Sequence, residues 1–251
     1  STLKVDKSLD YFKNKIGEAE LQEGHFDSPY NLSERLRIFL PDDITAITCL
    51  DDKRAASQIV LTLREIVLPQ QRKALVLFTS NRLLEEVHNQ LKNVVSAEFA
   101  GTEILAQGFS GSRRRMHNRF MSADAAILLG SASYWEGIDF SDQAVEILVI
   151  TRLPFDPPHR PENVAFQAYH QDQGKKAFYE EFLPRAMIRL KQGIGRLVRS
   201  RNARGVVICL DGRLIKSNYS KRMQLMLPEG VGIKVADHDE IKTEIQEFLK
   251  K

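Results

Sequence analysis

Eight residues, Gln192 to Arg199 (Gln-Gly-Ile-Gly-Arg-Leu-Val-Arg), carry the strongest chemical signal in the chain. They set two glycines and two arginines inside what reads as an amphipathic helix over Arg185–Arg199. Each interior glycine costs a helix about 1 kcal/mol relative to alanine, so a purely structural helix would avoid two of them. Wound at roughly 100° per residue, Arg185, Arg189, Gln192, Arg196 and Arg199 share an arc of about 80°. Met187, Leu190, Ile194, Leu197 and Val198 fall opposite. The expectation is a helix pinned by one face and showing a comb of guanidinium groups on the other. Guanidinium forks match phosphate oxygens and stay charged, and the glycines, Gly193 and Gly195, would let another group approach the backbone.

Other reactive types cluster after apolar runs. Thr79, Ser80 and Asn81 follow Ala74–Phe78 and open a helix, where hydroxyls cap the first turn and can hold a phosphate. Gly130-Ser-Ala-Ser-Tyr-Trp-Glu-Gly-Ile-Asp139 follows Ala125–Leu129 and holds the only tryptophan, Trp135, with Glu136, Gly137 and Asp139. Trp135 reads as core before stacking platform. Arg113, Arg114 and Arg115 form a basic run. Whatever lies beyond the carboxyl ends of such strands is positioned where open α/β sheets bind ligands.

Several chemistries are excluded. No Gly-x-x-x-x-Gly-Lys-Ser/Thr loop exists, because Gly174-Lys175 lacks the upstream glycine and the hydroxyl. There is no Gly-x-Gly-x-x-Gly after a strand, no His-Glu-x-x-His and no Gly-x-Ser-x-Gly. No metal site is expected. Two cysteines, Cys49 and Cys209, are too few for an iron–sulfur cluster and read as buried thiols in a reducing compartment, the cytoplasm. The net charge of +3 confines any basic surface to a local patch. No apolar run approaches a membrane span, so no membrane partner is expected. Arginines suited to a γ-phosphate are thus present without a loop for the other phosphates. A metabolic α/β enzyme binding an anionic substrate remains a rival, though no nucleophile or metal constellation supports it.

The elements that must position these residues alternate. Ala74–Phe78, Ala125–Leu129, Val145–Thr151 and Gly205–Leu210 are continuous apolar runs, as in strands covered on both faces. Ile44–Thr48 and Val94–Phe99 are weaker strand candidates. Helical periodicity falls on Lys53–Val67, Arg82–Lys92, Ser112–Met121, Ala177–Phe182, Arg185–Arg199 and Asp239–Lys250. Four prolines between Pro154 and Pro161 mark a loop. This pattern predicts an α/β fold with a doubly wound, mainly parallel sheet flanked by helices. Residues 1–42 are less regular and read as a lead-in, residues 43–251 as the domain. The opening without methionine reads as an excised piece.

Taken in order, these motifs resemble the second motor domain of superfamily 2 helicases, closest to the DinG branch of the XPD/DinG family in Gram-positive bacteria. Leu75-Val-Leu-Phe-Thr79-Ser80 resembles motif IV, Ser131 to Phe140 motif V, and Gln192 to Arg199 motif VI. Arg152-Leu-Pro-Phe155, Leu210-Asp-Gly-Arg213 and Ala106-Gln-Gly108 are similar to further family elements, and Ser1-Thr-Leu3 to the tail of motif III. The chain departs from the family at Ser131, where threonine is common, at Tyr134, where phenylalanine is, and at Ala203-Arg204, where an acidic residue precedes the glycine.

The resemblance implies a RecA-like fold and ATP with magnesium shared with a first motor domain that would supply the phosphate loop. The chain alone would then hydrolyse no ATP. Arg196 and Arg199 would stabilise the transferring γ-phosphate, and Gln192 would sense the nucleotide. Asp139, with Gly137 and Gly195 beside the site, would orient the arginines or bind ribose, while Glu136 would pair with an arginine. Single-stranded DNA would be held through phosphates by Thr79, Ser80, Asn81, Gln107, Arg113 and Ser131. An N-terminal exonuclease domain of the same polypeptide is a further implied partner. The alternative is an ATP-regulated single-stranded DNA-binding module that serves such an exonuclease without unwinding.

Overall fold

The structure is a computed structural model. It describes residues 4–5, 8–17, 20, 31–43, 50–99, 101–135, 145–198, 200 and 203–250. The strands are β1 (Leu36–Pro41), β2 (Lys73–Leu77), β3 (Glu103–Ala106), β4 (Ala126–Gly130), β5 (Ile147–Ile150), β6 (Gly205–Cys209) and β7 (Ile233–Ala236). Among the described residues they form one sheet in the order β3-β4-β2-β5-β6-β1-β7, and every pairing is parallel. The helices are α1 (Asp10–Ile16), α2 (Leu32–Arg35), α3 (Asp52–Thr62), α4 (Asn81–Glu98), α5 (Arg113–Ser122), α6 (Ala132–Trp135), α7 (Pro161–Asp172), α8 (Leu183–Ile194), α9 (Arg213–Lys216), α10 (Ser220–Gln224) and α11 (His238–Lys250).

The continuous apolar runs are explained by cover on both faces. Along β2, Ala74 and Val76 enter one core with α3, α4 and α11, while Leu75 and Leu77 enter the other with α5, α6 and α8. Strands β4, β5 and β6 alternate in the same way. With a side-chain period of two, a strand buried on both sides has no polar positions to show.

Four expectations change. Strand β1 lies inside residues 1–42, yet it pairs with both β6 and β7, so the lead-in ends before Leu36. Val94–Phe99 is the end of α4 and its cap rather than a strand. Its valines look β-like, but Val87, Leu91 and Val95 recur every four residues on one buried helical face. Strands β3 and β7 and helix α7 come in addition to the expected set. Both strands are four residues long and lie at the sheet edges, and α7 starts with Pro161 in its first turn, where its missing N–H costs nothing. Finally, α8 ends at Ile194, with Gly195 as its C-cap, so Arg196 lies past the helix rather than within it. The candidate strand Ile44–Thr48 falls outside the described residues.

No described helix is long and apolar enough to cross a membrane.

Candidate functional site

The carboxyl ends of β2, β3 and β4 bring three of the expected residues together. Ser131 follows β4, Gln107 follows β3, and Asn81 opens α4 after β2. The Ser131 hydroxyl donates to Asn81 Oδ1 at 2.5 Å, and the Ser131 N–H donates to Gln107 Oε1 at 2.8 Å. Both amide oxygens face Ser131, so both amide NH₂ groups turn away from it, and NH₂ groups are donors that suit phosphate oxygens. Ser131 is itself buried, whereas Asn81 is exposed. Ser80 accepts from the Leu83 N–H and so caps α4, with Thr79 half-buried just before it. Arg113 begins α5 with its guanidinium 5.8 Å from the centre of the buried Tyr134 ring. Burial pushes the Tyr134 phenol up.

A second group centres on Trp135. The ring is 3% exposed, and its indole N–H donates to the Phe78 carbonyl at 2.9 Å. Core packing is therefore its role. It also accounts for Gly193, because a Cβ there would lie 3.3 Å from Trp135 Cζ3. The close approach that the glycine permits comes from this tryptophan. Arg196 is 7% exposed and donates from Nη2 to the Trp135 carbonyl at 2.7 Å. Gln192 lies half-buried on the last turn of α8, and its Oε1 is a buried acceptor with no hydrogen-bond partner among the described residues. Gly195 is exposed at the helix end. Arg199, Glu136, Gly137 and Asp139 lie outside the described residues.

Two arginines of the expected comb, Arg185 and Arg189, are taken up by ion pairs. Arg189 donates to Asp156 at 2.5 Å, and Arg185 pairs with Asp156 at 3.7 Å and with Glu181. Glu181 is buried and also accepts from Lys15 at 2.6 Å. Asp156 lies in the proline-rich loop, some thirty positions from its arginines, and helical periodicity cannot reveal a partner that distant. The Glu181–Arg185 spacing of four residues did carry a signal.

The Leu-Pro-Phe and Leu-Asp-Gly-Arg segments meet at Asp211. This carboxylate is 2% exposed, accepts from the Leu153 N–H at 2.9 Å, and is gripped by Arg213 through Nε at 2.9 Å and Nη2 at 2.6 Å. Replacing Asp211 with Ala strands a buried N–H and a partly exposed guanidinium, so the domain should lose about 2–3 kcal/mol in urea denaturation. A loss below about 0.5 kcal/mol would remove this linking role.

Cys209 is a buried free thiol pushed up to about 12 by burial, which keeps it protonated and inert. Among the described residues no group of three His, Cys, Asp or Glu side chains could hold a metal.

Residues 63–230 match the helicase C-terminal domain family. The chain belongs to that family. The helicase domain is 32% identical over 231 residues to the 3′-5′ exonuclease DinG of Bacillus subtilis (strain 168), covering 91% of this chain and 25% of the relative. It is 28% identical over 250 residues to the 3′-5′ exonuclease DinG of Staphylococcus aureus (strain bovine RF122 / ET3-1), covering 99% of this chain and 26% of the relative. The domain thus spans about a quarter of the length of the curated relatives it matches. The solved structure titled XPD_Helicase superposes with a TM-score of 0.55 at 17% identity, over 89% of this chain and 37% of that one. The helicase domain has a RecA-like fold, an all-parallel sheet flanked by helices.

Proposed function

We propose that this domain is the second motor lobe of an ATP-dependent DNA helicase or translocase of the DinG type. In this reading a first motor lobe of the same polypeptide holds ATP and magnesium. Arg196 and Arg199 stabilise charge on the transferring γ-phosphate. Gln192 offers its buried oxygen, which has no partner among the described residues, to a donor of the bound nucleotide, and Asp139 orients the arginines or binds ribose beside Gly137 and Gly195.

The observation that carries this reading is the fixing of Arg196 by the Trp135 carbonyl at the end of α8. A guanidinium held in place before the reaction needs no reorganisation when charge develops, which is the condition for strong electrostatic catalysis. ATP supplies the free energy for closing and reopening the two lobes, a hinge cycle driven by differential binding.

Thr79, Ser80, Asn81, Gln107 and Arg113 then hold the phosphates of single-stranded DNA, with Ser131, expected among them, aligning the Asn81 and Gln107 amides instead. A translocase must ignore sequence, so contacts to the backbone suit it. The test is binding of the chain to oligo-dT at increasing salt. Three phosphate contacts give a slope of log K against log salt of about −2, or roughly a 15-fold loss between about 50 and 200 mM. Binding that does not respond to salt would contradict the reading.

The relatives' printed name, 3′-5′ exonuclease DinG, favours one second reading: the lobe holds single-stranded DNA for a nuclease, with ATP as regulator. Strand-separation and degradation assays on the full-length protein, with and without ATP, distinguish the two. Degradation that changes with ATP while no duplex is opened would select the second.

A further inference from the structure

We infer that Phe109 is a base-stacking platform for single-stranded DNA, set one step from the phosphate-binding cluster of Ser131, Gln107 and Asn81. The inference rests on the DNA reading above and adds a contact to the bases.

Phe109 is 49% exposed, and among the described residues no other phenylalanine is exposed. Water around an apolar ring is unfavourable, so a ring held in this position by a built loop calls for an occupant. The loop is built. Gly108 and Gly111 take φ of +87° and +96°, values that other residues rarely adopt. The Phe109 and Ser110 N–H groups both donate to the Ala106 carbonyl at 3.0 Å, and the Ser110 hydroxyl accepts from the Ala106 N–H at 2.9 Å. The backbone is therefore closed on itself at the end of β3, and the phenylalanine is its protruding side chain.

The inner side of the ring rests on His88, with centroids 4.8 Å apart and planes inclined at 38°. His88 is 1% exposed, and burial pushes its imidazole down, which keeps it neutral beneath the ring. The ring thus has one supported side and one in solvent.

Position decides the occupant. Gln107, two residues earlier, contacts Ser131, so the ring and the cluster lie within about 7 Å of backbone. Stacked nucleotides rise about 3.4 Å each along a strand, which makes that span one to two nucleotides. Three arginines, Arg113 to Arg115, then occupy the first turn of α5, and no acidic residue stands there. Cations are disfavoured at the positive end of a helix. Three together fit a place where an anionic backbone passes. Every base offers a π-face, so stacking adds affinity without reading sequence.

The experiment compares binding of the chain to an oligo-dT of about 15 nucleotides and to an abasic strand of the same length. Wild type should prefer the strand with bases by roughly tenfold. Phe109→Ala and Phe109→Leu should bind both strands alike, at the wild-type abasic affinity and with an unchanged salt slope. Leucine keeps an apolar contact on His88, which guards against a folding defect. Phe109→Trp should restore the preference, with its fluorescence quenched by oligo-dT. Retention of the preference by both Phe109→Ala and Phe109→Leu overturns the platform, as does salt-sensitive wild-type binding with no preference for bases. A wild-type chain that binds neither strand overturns the DNA reading itself, and the platform with it.

Discussion

Replacing Arg199 with Ala in the full-length protein should lower DNA-stimulated ATP hydrolysis by about 10³–10⁵-fold, the range for loss of an arginine that stabilises a transferring phosphoryl group. That corresponds to roughly 4–7 kcal/mol of transition-state stabilisation. Arg196→Ala should fall as far. Single-stranded DNA affinity should stay within about twofold of wild type in both variants, because neither residue belongs to the phosphate cluster. Arg196 needs a control, since its guanidinium is buried against the Trp135 carbonyl. Arg196→Lys keeps the charge but loses the planar fork. It should fold normally and still lose most of the turnover. ATPase at wild-type levels in Arg196→Ala and Arg199→Ala would end the assignment.

Replacing Trp135 with Ala should destabilise the domain by about 3–5 kcal/mol, the usual cost of removing a large buried aromatic side chain. At this chain length the thermal midpoint should fall by roughly 6–20 °C. The ring fills the space between β2 and α8, and its N–H satisfies the Phe78 carbonyl, which would otherwise be left buried and unpaired. A double-mutant cycle isolates the contact with α8. Gly193→Ala in the wild type presses a Cβ to 3.3 Å from Trp135 and should destabilise. In the Trp135→Ala background the same change meets only an ordinary contact with Leu77 Cδ1 at 3.6 Å and gains helix propensity, so it should stabilise by about 0.5 kcal/mol. A Gly193→Ala effect equal in both backgrounds would show that the glycine answers to something other than this ring.

Much of the fold was legible because burial on both faces of the sheet leaves an unmistakable trace. Ala74–Phe78 and Gly205–Leu210 can be read as strands without knowing their neighbours, since every side chain is apolar. Strand β1 also runs Leu-Arg-Ile-Phe-Leu-Pro, but it follows an irregular stretch and ends in proline, so its place between β6 and β7 shows only in the pairing. The edge strands β3 and β7 are too short to establish a period.

At the site, residue types and spacing located Ser131 and Asn81 and the family resemblance supplied Gln107, and the parallel sheet explains why they meet: each lies at the carboxyl end of its strand or just beyond it. The end of α8 was not legible. Gln-Gly-Ile-Gly-Arg is compatible with a helix that continues and with one that stops at a glycine cap, and the partner that Arg196 finds past the cap, the Trp135 carbonyl, is remote in sequence. Of the expected comb, Arg185 and Arg189 are claimed by Asp156 through the tertiary fold, and Arg185 also by Glu181 four residues before it.

The most direct test of the account is a structure of the full-length protein with single-stranded DNA and ADP–aluminium fluoride, a stand-in for the γ-phosphate in transfer. The guanidinium groups of Arg196 and Arg199 should then lie about 2.7–3.2 Å from the fluoride ligands, across a cleft from the lobe that holds the other phosphates. Both guanidinium groups directed into bulk solvent, away from the bound nucleotide, would contradict it.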